Sequence, residues 1–228
     1  MDNIISLHDV KKSYRGASSQ ATDVLHIKHL HIAYGEHVSL TGPSGCGKST
    51  LLHLLGGVME PTSGEVIVHN EHLERLSMKE KDAFRANHIG FIFQDFHLIP
   101  SLTASENIKV ALPKRSQQRE RIPKWFERIG LEDKQTNYPH ELSRGQQQRV
   151  AFIRALIHGP KLVLADEPTG SLDVQTAKGM MTLLLDICKE DNITLLCVTH
   201  DLTLASAFPR TIAMETLNQE MKRGVPSP

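Results

Sequence analysis

Hydrophobic positions along the chain alternate between the spacing of strands and the spacing of helices. Met181, Leu184, Leu185 and Cys188 repeat at the interval of one buried helix face. Short apolar runs predict strands at residues 4–8, 24–32, 37–41, 64–68, 89–93 and 193–198. Strands that alternate with helices predict an α/β fold, with helices on both faces of the main sheet.

The middle of the chain has a different character. Thr103-Ala104-Ser105-Glu106 has the spacing of a capping box and predicts a helix start. From there to about residue 139 the composition is polar and helical, with Gln117, Arg119, Glu120, Trp125 and Glu127. We therefore expect one domain over 1–228, with a core of 1–94 and 160–214, a helical subdomain of about 95–159 and a short tail of 215–228.

Composition limits the functions that the chain can have. The 228 residues suffice for one α/β domain, and equal numbers of Lys plus Arg and Asp plus Glu, 26 each, give no reason to expect a nucleic-acid partner. No apolar run approaches the roughly 20 residues that span a bilayer, and no basic-then-apolar leader is seen. Three cysteines without an evident pairing favour a reducing compartment. We expect any membrane contact to be made through another polypeptide.

Residues 42–49 read Gly-Pro-Ser-Gly-Cys-Gly-Lys-Ser, between a predicted strand and a predicted helix. This G-x-x-x-x-G-K-S pattern is typical of a nucleotide phosphate loop, in which backbone N–H groups surround phosphate oxygens. Lys48 would reach the β- and γ-phosphates, and the Ser49 hydroxyl would bind Mg²⁺. The predicted nucleotide-binding residues here are Gly42, Pro43, Ser44, Gly45, Cys46, Gly47, Lys48, Ser49 and Thr50.

Asp166 and Glu167 follow the apolar run 162–165, which is typical of a buried strand. Ligands of parallel sheets bind at the carboxyl ends of the strands, so both carboxylates should lie beside the phosphate loop. We assign Asp166 to Mg²⁺, through water. We assign Glu167 as the general base that activates the hydrolytic water.

Two further segments indicate which kind of ATPase this is. Residues 142–150 read Leu-Ser-Arg-Gly-Gln-Gln-Gln-Arg-Val, and residues 161–167 read Lys-Leu-Val-Leu-Ala-Asp-Glu. With the phosphate loop, the chain resembles the nucleotide-binding subunit of an ATP-binding-cassette (ABC) transporter, from about residue 4 to about residue 212. The resemblance implies a phosphate-loop ATPase core, an antiparallel β subdomain and a helical insertion, with ATP and Mg²⁺ as cofactors.

The same resemblance implies roles for three more side chains. Gln94, after the run 89–93, corresponds to a glutamine that binds Mg²⁺ and the attacking water. His200 corresponds to a histidine that contacts the γ-phosphate and holds Glu167. Tyr14 corresponds to an aromatic residue that stacks on adenine.

Ser143 and Gln146 have the spacing of a second capping box, which predicts a second anion site at a helix N-terminus. In the family, the residues at Ser143, Arg144, Gly145 and Gln146 form a signature that completes the partner chain's nucleotide site. Two chains then enclose two ATP molecules head to tail, and residues 171–173 cross the interface. This predicts an ATP-dependent dimer.

The chain departs from the family pattern at two points. Arg144 stands where the family has glycine, and the usual Asp-Gly hairpin is missing after residue 214. Two effects of Arg144 are open: a contact with the partner's γ-phosphate or a nearby carboxylate that favours dimer closure, or bulk that holds the chains apart. We favour the first.

The segments 51–57, 61–64 and 164–173 resemble most the branch with lipoprotein-releasing, macrolide-exporting and FtsE-type ATPases. The resemblance implies a motor subunit on the cytoplasmic face of the membrane, driving an integral-membrane permease, with a periplasmic adaptor as a further partner. We expect residues 95–102, with Phe96 and Leu98 exposed, to form part of the permease dock. The alternatives are a nutrient-importer ATPase, a non-transport ABC protein acting on nucleic acid and a scaffold that does not hydrolyse ATP.

His26, His29 and His31 lie close together in a predicted strand. A metal site is one interpretation. Solvated histidines are the favoured one, because no third ligand on their face accompanies them.

Overall fold

The structure is a computed structural model that describes residues 2–15, 21–113 and 116–219. The strands are β1 (Asn3–Arg15), β2 (Ala21–Ala33), β3 (His37–Thr41), β4 (Ser63–Val68), β5 (Glu71–His72), β6 (Ile89–Ile92), β7 (Leu162–Asp166), β8 (Thr194–Val198) and β9 (Arg210–Ala213). The helices are α1 (Lys48–Leu55), α2 (Met78–His88), α3 (Ala104–Lys109), α4 (Ile122–Arg128), α5 (Arg144–Leu156), α6 (Val174–Glu190), α7 (Leu202–Ala205) and α8 (Met214–Leu217).

The main sheet is parallel, with strand order β6-β7-β8-β3-β9. Every residue of β8 is buried, as are the first four of β7 and the last four of β3. Strands covered on both faces are largely apolar, which is why β7 and β8 appear in the sequence as hydrophobic runs, whereas buried β3 also contains Ser39 and Thr41. The α/β class predicted from the sequence is confirmed.

A second, antiparallel sheet has the order β2-β1-β4-β5. β1 and β2 form its longest ladder, in which Leu7 pairs with Leu30 and His8 with His29. Both strands extend beyond the predicted runs, because β1 continues to Arg15 and β2 begins at Ala21. Their outer parts are polar, so hydrophobicity did not reveal them.

Both predicted capping boxes are present. Thr103 caps α3 and Ser143 caps α5, each with the reciprocal bond from its own N–H to the side chain three residues on. On α6, Met181, Leu184 and Cys188 are buried as expected, whereas Leu185 is only half-buried. The capping boxes thus located helix starts within the polar middle of the chain.

The helical segment packs against the core without a break. One hydrophobic cluster contains Phe126 of α4, Phe152 of α5 and Val163 of β7. The subdomain boundaries at 95 and 159 remain a prediction. At the other end, Asn218 is 1% exposed, and its side chain bonds the backbone of Val24, His26 and Cys46.

The three cysteines, Cys46, Cys188 and Cys197, are free and buried, as their sequence contexts suggested. Within 2–15, 21–113 and 116–219, no helix has both the length and the apolar character that a membrane span requires.

Candidate nucleotide-binding and catalytic site

The phosphate loop connects the end of β3 to the start of α1. Gly45 has φ 78° and Gly47 has φ 97°, in the left-handed region that favours glycine. Gly47 is also the N-cap of α1 and supplies no side-chain cap. The first N–H groups of α1 therefore remain available to a phosphate, at the positive end of the helix.

Lys48 is folded against the loop and is 7% exposed. Its ammonium group donates to the carbonyl oxygens of Gly42 and Pro43, each at 2.8 Å, and lies 3.8 Å from Cys46 Sγ. These contacts hold the positive charge beside the loop backbone. The buried Cys46 side chain supports the lysine, while Gly42 and Pro43 contribute carbonyl oxygens.

A cavity of about 490 Å³ opens over the loop and brings together most of the predicted site. Its lining comprises Val24, Ser44, Gly45, Gly47, Lys48, Ser49, Thr50, Phe93, Gln94, Asp95, His97, Asp166 and Glu167. Asp166 is the last residue of β7, and Gln94 follows neighbouring β6 by two residues. Their convergence follows from the parallel sheet, which places the carboxyl ends of strands at one edge.

Glu167 is held in an uncommon backbone conformation, with φ 45°. Its N–H donates to the Val198 carbonyl at 2.9 Å, so the end of β8 fixes the backbone. Its Oε1 lies 3.0 Å from Nδ1 of His200, which is mostly exposed. Strained residues of this kind cluster at functional sites, where the surrounding structure enforces them.

Gln94 lies against the turn that follows Glu167. A Cβ added to Gly170 would lie 3.2 Å from the Gln94 side-chain nitrogen and 3.4 Å from the Glu167 carbonyl oxygen. Glycine at 170 thus permits the close approach of the amide to this turn. Gln94, Asp166 and Glu167 therefore line one cavity, and His200 contacts Glu167; their catalytic and metal-binding roles remain predictions.

Gln148, which the sequence analysis did not assign, supports the same turn from α5. It is fully buried, and its side-chain amide donates to the carbonyl of Pro168, the residue after Glu167. A buried amide in a helix interior requires a polar partner. The sequence could therefore indicate that Gln148 needs a hydrogen-bond partner, but only the fold shows that the partner is Pro168.

Tyr14 is not among the residues that line the cavity in the described part of the chain. It is 41% exposed, its hydroxyl lies 3.1 Å from Met59 Sδ, and the Lys12 ammonium lies 5.5 Å from the ring centroid. Stacking of Tyr14 on adenine remains a prediction.

The signature residues lie in a separate cavity of about 530 Å³. Ser143 Oγ accepts from Gln146 N–H at 3.3 Å, and Gln146 Oε1 accepts from Ser143 N–H at 2.9 Å. This cavity is lined by Gly130, Leu131, Ser143, Arg144, Gly145, Gln146, Arg149, Ser171, Leu172, Asp173 and Thr176. Among the described residues, no residue lines both this cavity and the phosphate-loop cavity.

The expected exposure of Phe96 is wrong. Phe96 is 7% exposed, and the Arg144 guanidinium carbon lies 5.6 Å from its ring centroid. Leu98 is half-buried against the larger hydrophobic cluster. Ile99, at 42% exposure, is the large apolar side chain of this segment that does reach solvent. Phe96 therefore cannot serve as an exposed docking residue.

An apolar groove of about 410 Å³ lies on the neighbouring surface and was missed by sequence reasoning. Phe91 and Phe93 stack there, with centroids 5.5 Å apart. The groove is lined by Asp82, Arg85, Ala86, Ile89, Phe91, Phe93, Ala111, Arg154, Ala155 and His158. Phe93 lines both this groove and the phosphate-loop cavity.

The histidines of β2 do not form a metal-ligand set within the described chain. His26 is 8% exposed and bonds Asp9 at 2.8 Å, while His29 and His31 are exposed and contact the His8 ring. The described residues contain one group with ligand spacing, Glu65, His72 and Glu74. Arg75 lies 3.4 Å and 3.5 Å from its two carboxylates, so their charge already has a partner.

The fold and the cavity together define a phosphate-loop nucleotide-binding protein. The ABC transporter family matches residues 25–170. The lipoprotein-releasing system ATP-binding protein LolD of Legionella pneumophila (strain Lens) is 39% identical over 217 residues, which is 93% of this chain and 95% of LolD.

Solved structures give the same assignment. The ATP-binding cassette MJ0796, as a dimer bound to ADP and Pi, superposes with a TM-score of 0.82 at 39% identity, covering 92% of this chain and 93% of that one. CbiO1 from Clostridium perfringens, part of the ABC transporter complex CbiONQ, has a TM-score of 0.82 at 29% identity, covering 93% and 85%. The chain belongs to the ABC transporter family and is an ABC-type ATPase that binds ATP.

Proposed function

We propose that the chain is the ATP-hydrolysing motor subunit of a LolD-like complex, in which two copies bind two ATP molecules and drive a separate permease. The observation that carries this proposal is the Glu167–His200 pair, in which Glu167 lines the phosphate-loop cavity together with Gln94 and Asp166. The identity to LolD over nearly the whole chain supports the subfamily.

Phosphate binding falls to Lys48 and the backbone N–H groups at the start of α1. The residues also fit Mg²⁺, because the Ser49 hydroxyl, the Asp166 carboxylate and the Gln94 amide oxygen are hard oxygen donors around one cavity. When bound, Mg²⁺ neutralises charge on the phosphate oxygens. Gln94 additionally orients the attacking water through its side-chain amide.

Glu167 is the general base. Its carboxylate accepts a proton from the water as the water oxygen bonds to the γ-phosphorus, while the bond from that phosphorus to the bridging oxygen of ADP breaks. His200 fixes the carboxylate through the 3.0 Å contact. It also contacts the γ-phosphate in our proposal, so the carboxylate is aligned when ATP is present.

The presence of two separate cavities in one chain supports dimerisation. Ser143, Arg144, Gly145 and Gln146 line a cavity apart from their own phosphate loop. In a head-to-tail dimer each signature faces the partner's γ-phosphate, and ATP joins the chains until it is hydrolysed. The MJ0796 cassette is itself dimeric, which supports this arrangement.

The permease docks in the apolar groove that includes Ala86, Ala111 and Ala155. Small side chains beside two stacked phenylalanines suit a short helix that lies in the groove. Phe93 lines both the groove and the phosphate-loop cavity and is next to Gln94 in the chain. It therefore links permease binding to the nucleotide site. Through this permease the subunit is peripheral on the inner face of the cell membrane.

Two measurements test the proposal. Purified wild-type chain should release phosphate from ATP only with Mg²⁺, and Glu167→Gln should slow the release by roughly 10²–10⁴-fold while ATP still binds. Affinity capture of the tagged chain from native membranes should then recover a lipoprotein-releasing permease. Binding of ATP without phosphate release would contradict the motor role, and recovery of a different permease class would contradict the subfamily.

A further inference from the structure

Arg144 occupies the first turn of α5, where a positive charge is unfavourable against the helix dipole. Among the described residues no ion pair within 4.0 Å involves its guanidinium, which lies over the face of Phe96, 5.6 Å from the centroid. A cation at this distance from an aromatic face is attracted by the ring electrons. The attraction to the ring therefore offsets part of the unfavourable interaction between the Arg144 charge and the helix dipole.

Phe96 has few apolar neighbours to account for its burial. At 7% exposure it belongs to neither hydrophobic cluster of the described residues. Arg144 covers its ring, and Arg154, near the other end of α5, donates to the carbonyl oxygens of Phe96 and His97 at 2.6 Å each. Arg144 and Arg154 of α5 thus both contact the segment that contains Phe96 and His97.

That segment begins in the phosphate-loop cavity. Gln94 and His97 line the cavity on either side of Phe96, and the His97 ring packs edge-on to Phe93 at 5.1 Å. Phe96 therefore lies two residues from Gln94 in the chain and contacts Arg144, the residue that follows the Ser143 N-cap of α5.

We propose that the Arg144–Phe96 contact couples the two composite nucleotide sites of the dimer. In each chain, the position of Gln94 in the phosphate-loop cavity determines the position of the signature residues. These signature residues contact the nucleotide bound to the partner chain. Arg144 is then a positioning residue that acts through Phe96, without itself binding nucleotide. The inference rests on the proposed dimer and depends on arginine at a position where the family has glycine.

A double-mutant cycle of Arg144→Ala and Phe96→Leu tests the coupling, with phosphate release measured against ATP concentration. Each single variant should raise the half-saturating ATP concentration about two- to fivefold, the range expected for loss of one cation–π contact. Each should also lower the Hill coefficient toward one, because ATP binding at one site no longer changes the affinity of the other. The double variant should match the singles, since both remove the same contact.

Two controls keep the test decisive. Arg121→Ala removes another exposed arginine, at the N-cap of α4, and should leave both parameters unchanged. Phe96→Tyr keeps an aromatic face and should behave as wild type, which separates loss of the ring contact from misfolding of the leucine variant. ADP affinity, which reports on one chain's own cavity, should be constant throughout.

Multiplicative effects of the two substitutions, or a silent Phe96→Leu, would overturn the inference and place Arg144 directly on the partner's phosphate. Absence of phosphate release by the wild-type chain would instead overturn the proposed function.

Discussion

The carboxylate of Glu167 and the imidazole of His200 lie 3.0 Å apart, although each follows a different strand of the parallel sheet. We expect His200→Ala to retain ATP binding and to lower turnover by up to about 10²-fold, the cost of a misplaced catalytic group. Phosphate release together with ATP affinity measures this. Equal loss of affinity and turnover would make His200 a binding residue instead.

Glu167→Gln should be more severe. We expect turnover to fall by roughly 10²–10⁴-fold, because the amide cannot take the proton while the phosphate contacts are intact. The variant should also run as a dimer in ATP on size-exclusion chromatography. Lys48→Ala is the contrasting control and should weaken nucleotide binding itself. Turnover of Glu167→Gln near that of wild type would remove Glu167 from the role of base.

Ala86→Glu and Ala111→Glu should each prevent permease binding while the ATPase activity of the isolated chain is kept. Both alanines are exposed in the apolar groove, and neither lines the phosphate-loop cavity. Ala83→Glu is the matched control, since Ala83 is exposed on the same helix, α2, outside the groove. Co-purification with the permease is the measurement. Retention of the permease by both groove variants would show that the dock lies elsewhere.

Two glycine substitutions should change stability in opposite directions. Gly179→Ala, in α6, should raise the free energy of unfolding by about 0.5–1 kcal/mol, because beyond the adjacent helix backbone no atom of the described residues lies within 4 Å of an added Cβ. Gly90→Ala would place Cβ 2.3 Å from the Ala155 carbonyl oxygen and should lower it by about 1–3 kcal/mol. Urea denaturation of both variants checks this. A stabilised Gly90→Ala would contradict the close packing of β6 on α5.

Acid should destabilise the fold through two half-buried imidazoles, those of His37 and His158. Burial lowers the pKa of His158 and of His37 below the ordinary value of 6.5, because it disfavours the charged ring. As pH falls through 6.5, the unfolded chain binds protons that the folded chain does not, so the free energy of unfolding falls. Each ring nitrogen bonds a backbone carbonyl, that of Ile89 for His158 and Ile193 for His37.

Urea denaturation from about pH 7.5 to about pH 5.5 measures this dependence. His158→Gln, which keeps a hydrogen-bond donor but does not titrate in this range, should reduce the slope. An unchanged slope in His158→Gln and in His37→Gln would assign the dependence to other groups.

Local patterns in the sequence predicted the parts of the site that are local in the chain. The phosphate loop needs eight consecutive residues, and the capping box at Ser143 needs four. Asp166 and Glu167 could be assigned to the site because they end a buried strand, and ligands of a parallel sheet bind at the carboxyl ends of its strands. In each case the physical cause lies within a few residues of the position predicted.

The errors have causes that are distant in sequence. Phe96 was expected at the surface because its segment adjoins Gln94 and was assigned to the permease dock, but it is covered by Arg144, which lies 48 positions further on. The groove combines α2, β6 and the end of α5, and no single segment shows its apolar character. Gln148 shows a need for a partner without identifying Pro168. Such relationships follow from the fold and could not be predicted from local pattern.

The place of β3 in the sheet has a consequence for how the protein is made. β3, which leads into the phosphate loop, pairs only with β8 and β9 among the described strands. Both neighbours are translated more than 150 residues after it. A nascent chain that ends before Thr194 therefore carries the whole nucleotide motif without the strands that shape it. ATP binding should therefore appear late in synthesis, because until then β3, with its apolar Val38 and Leu40, has neither of its neighbouring strands.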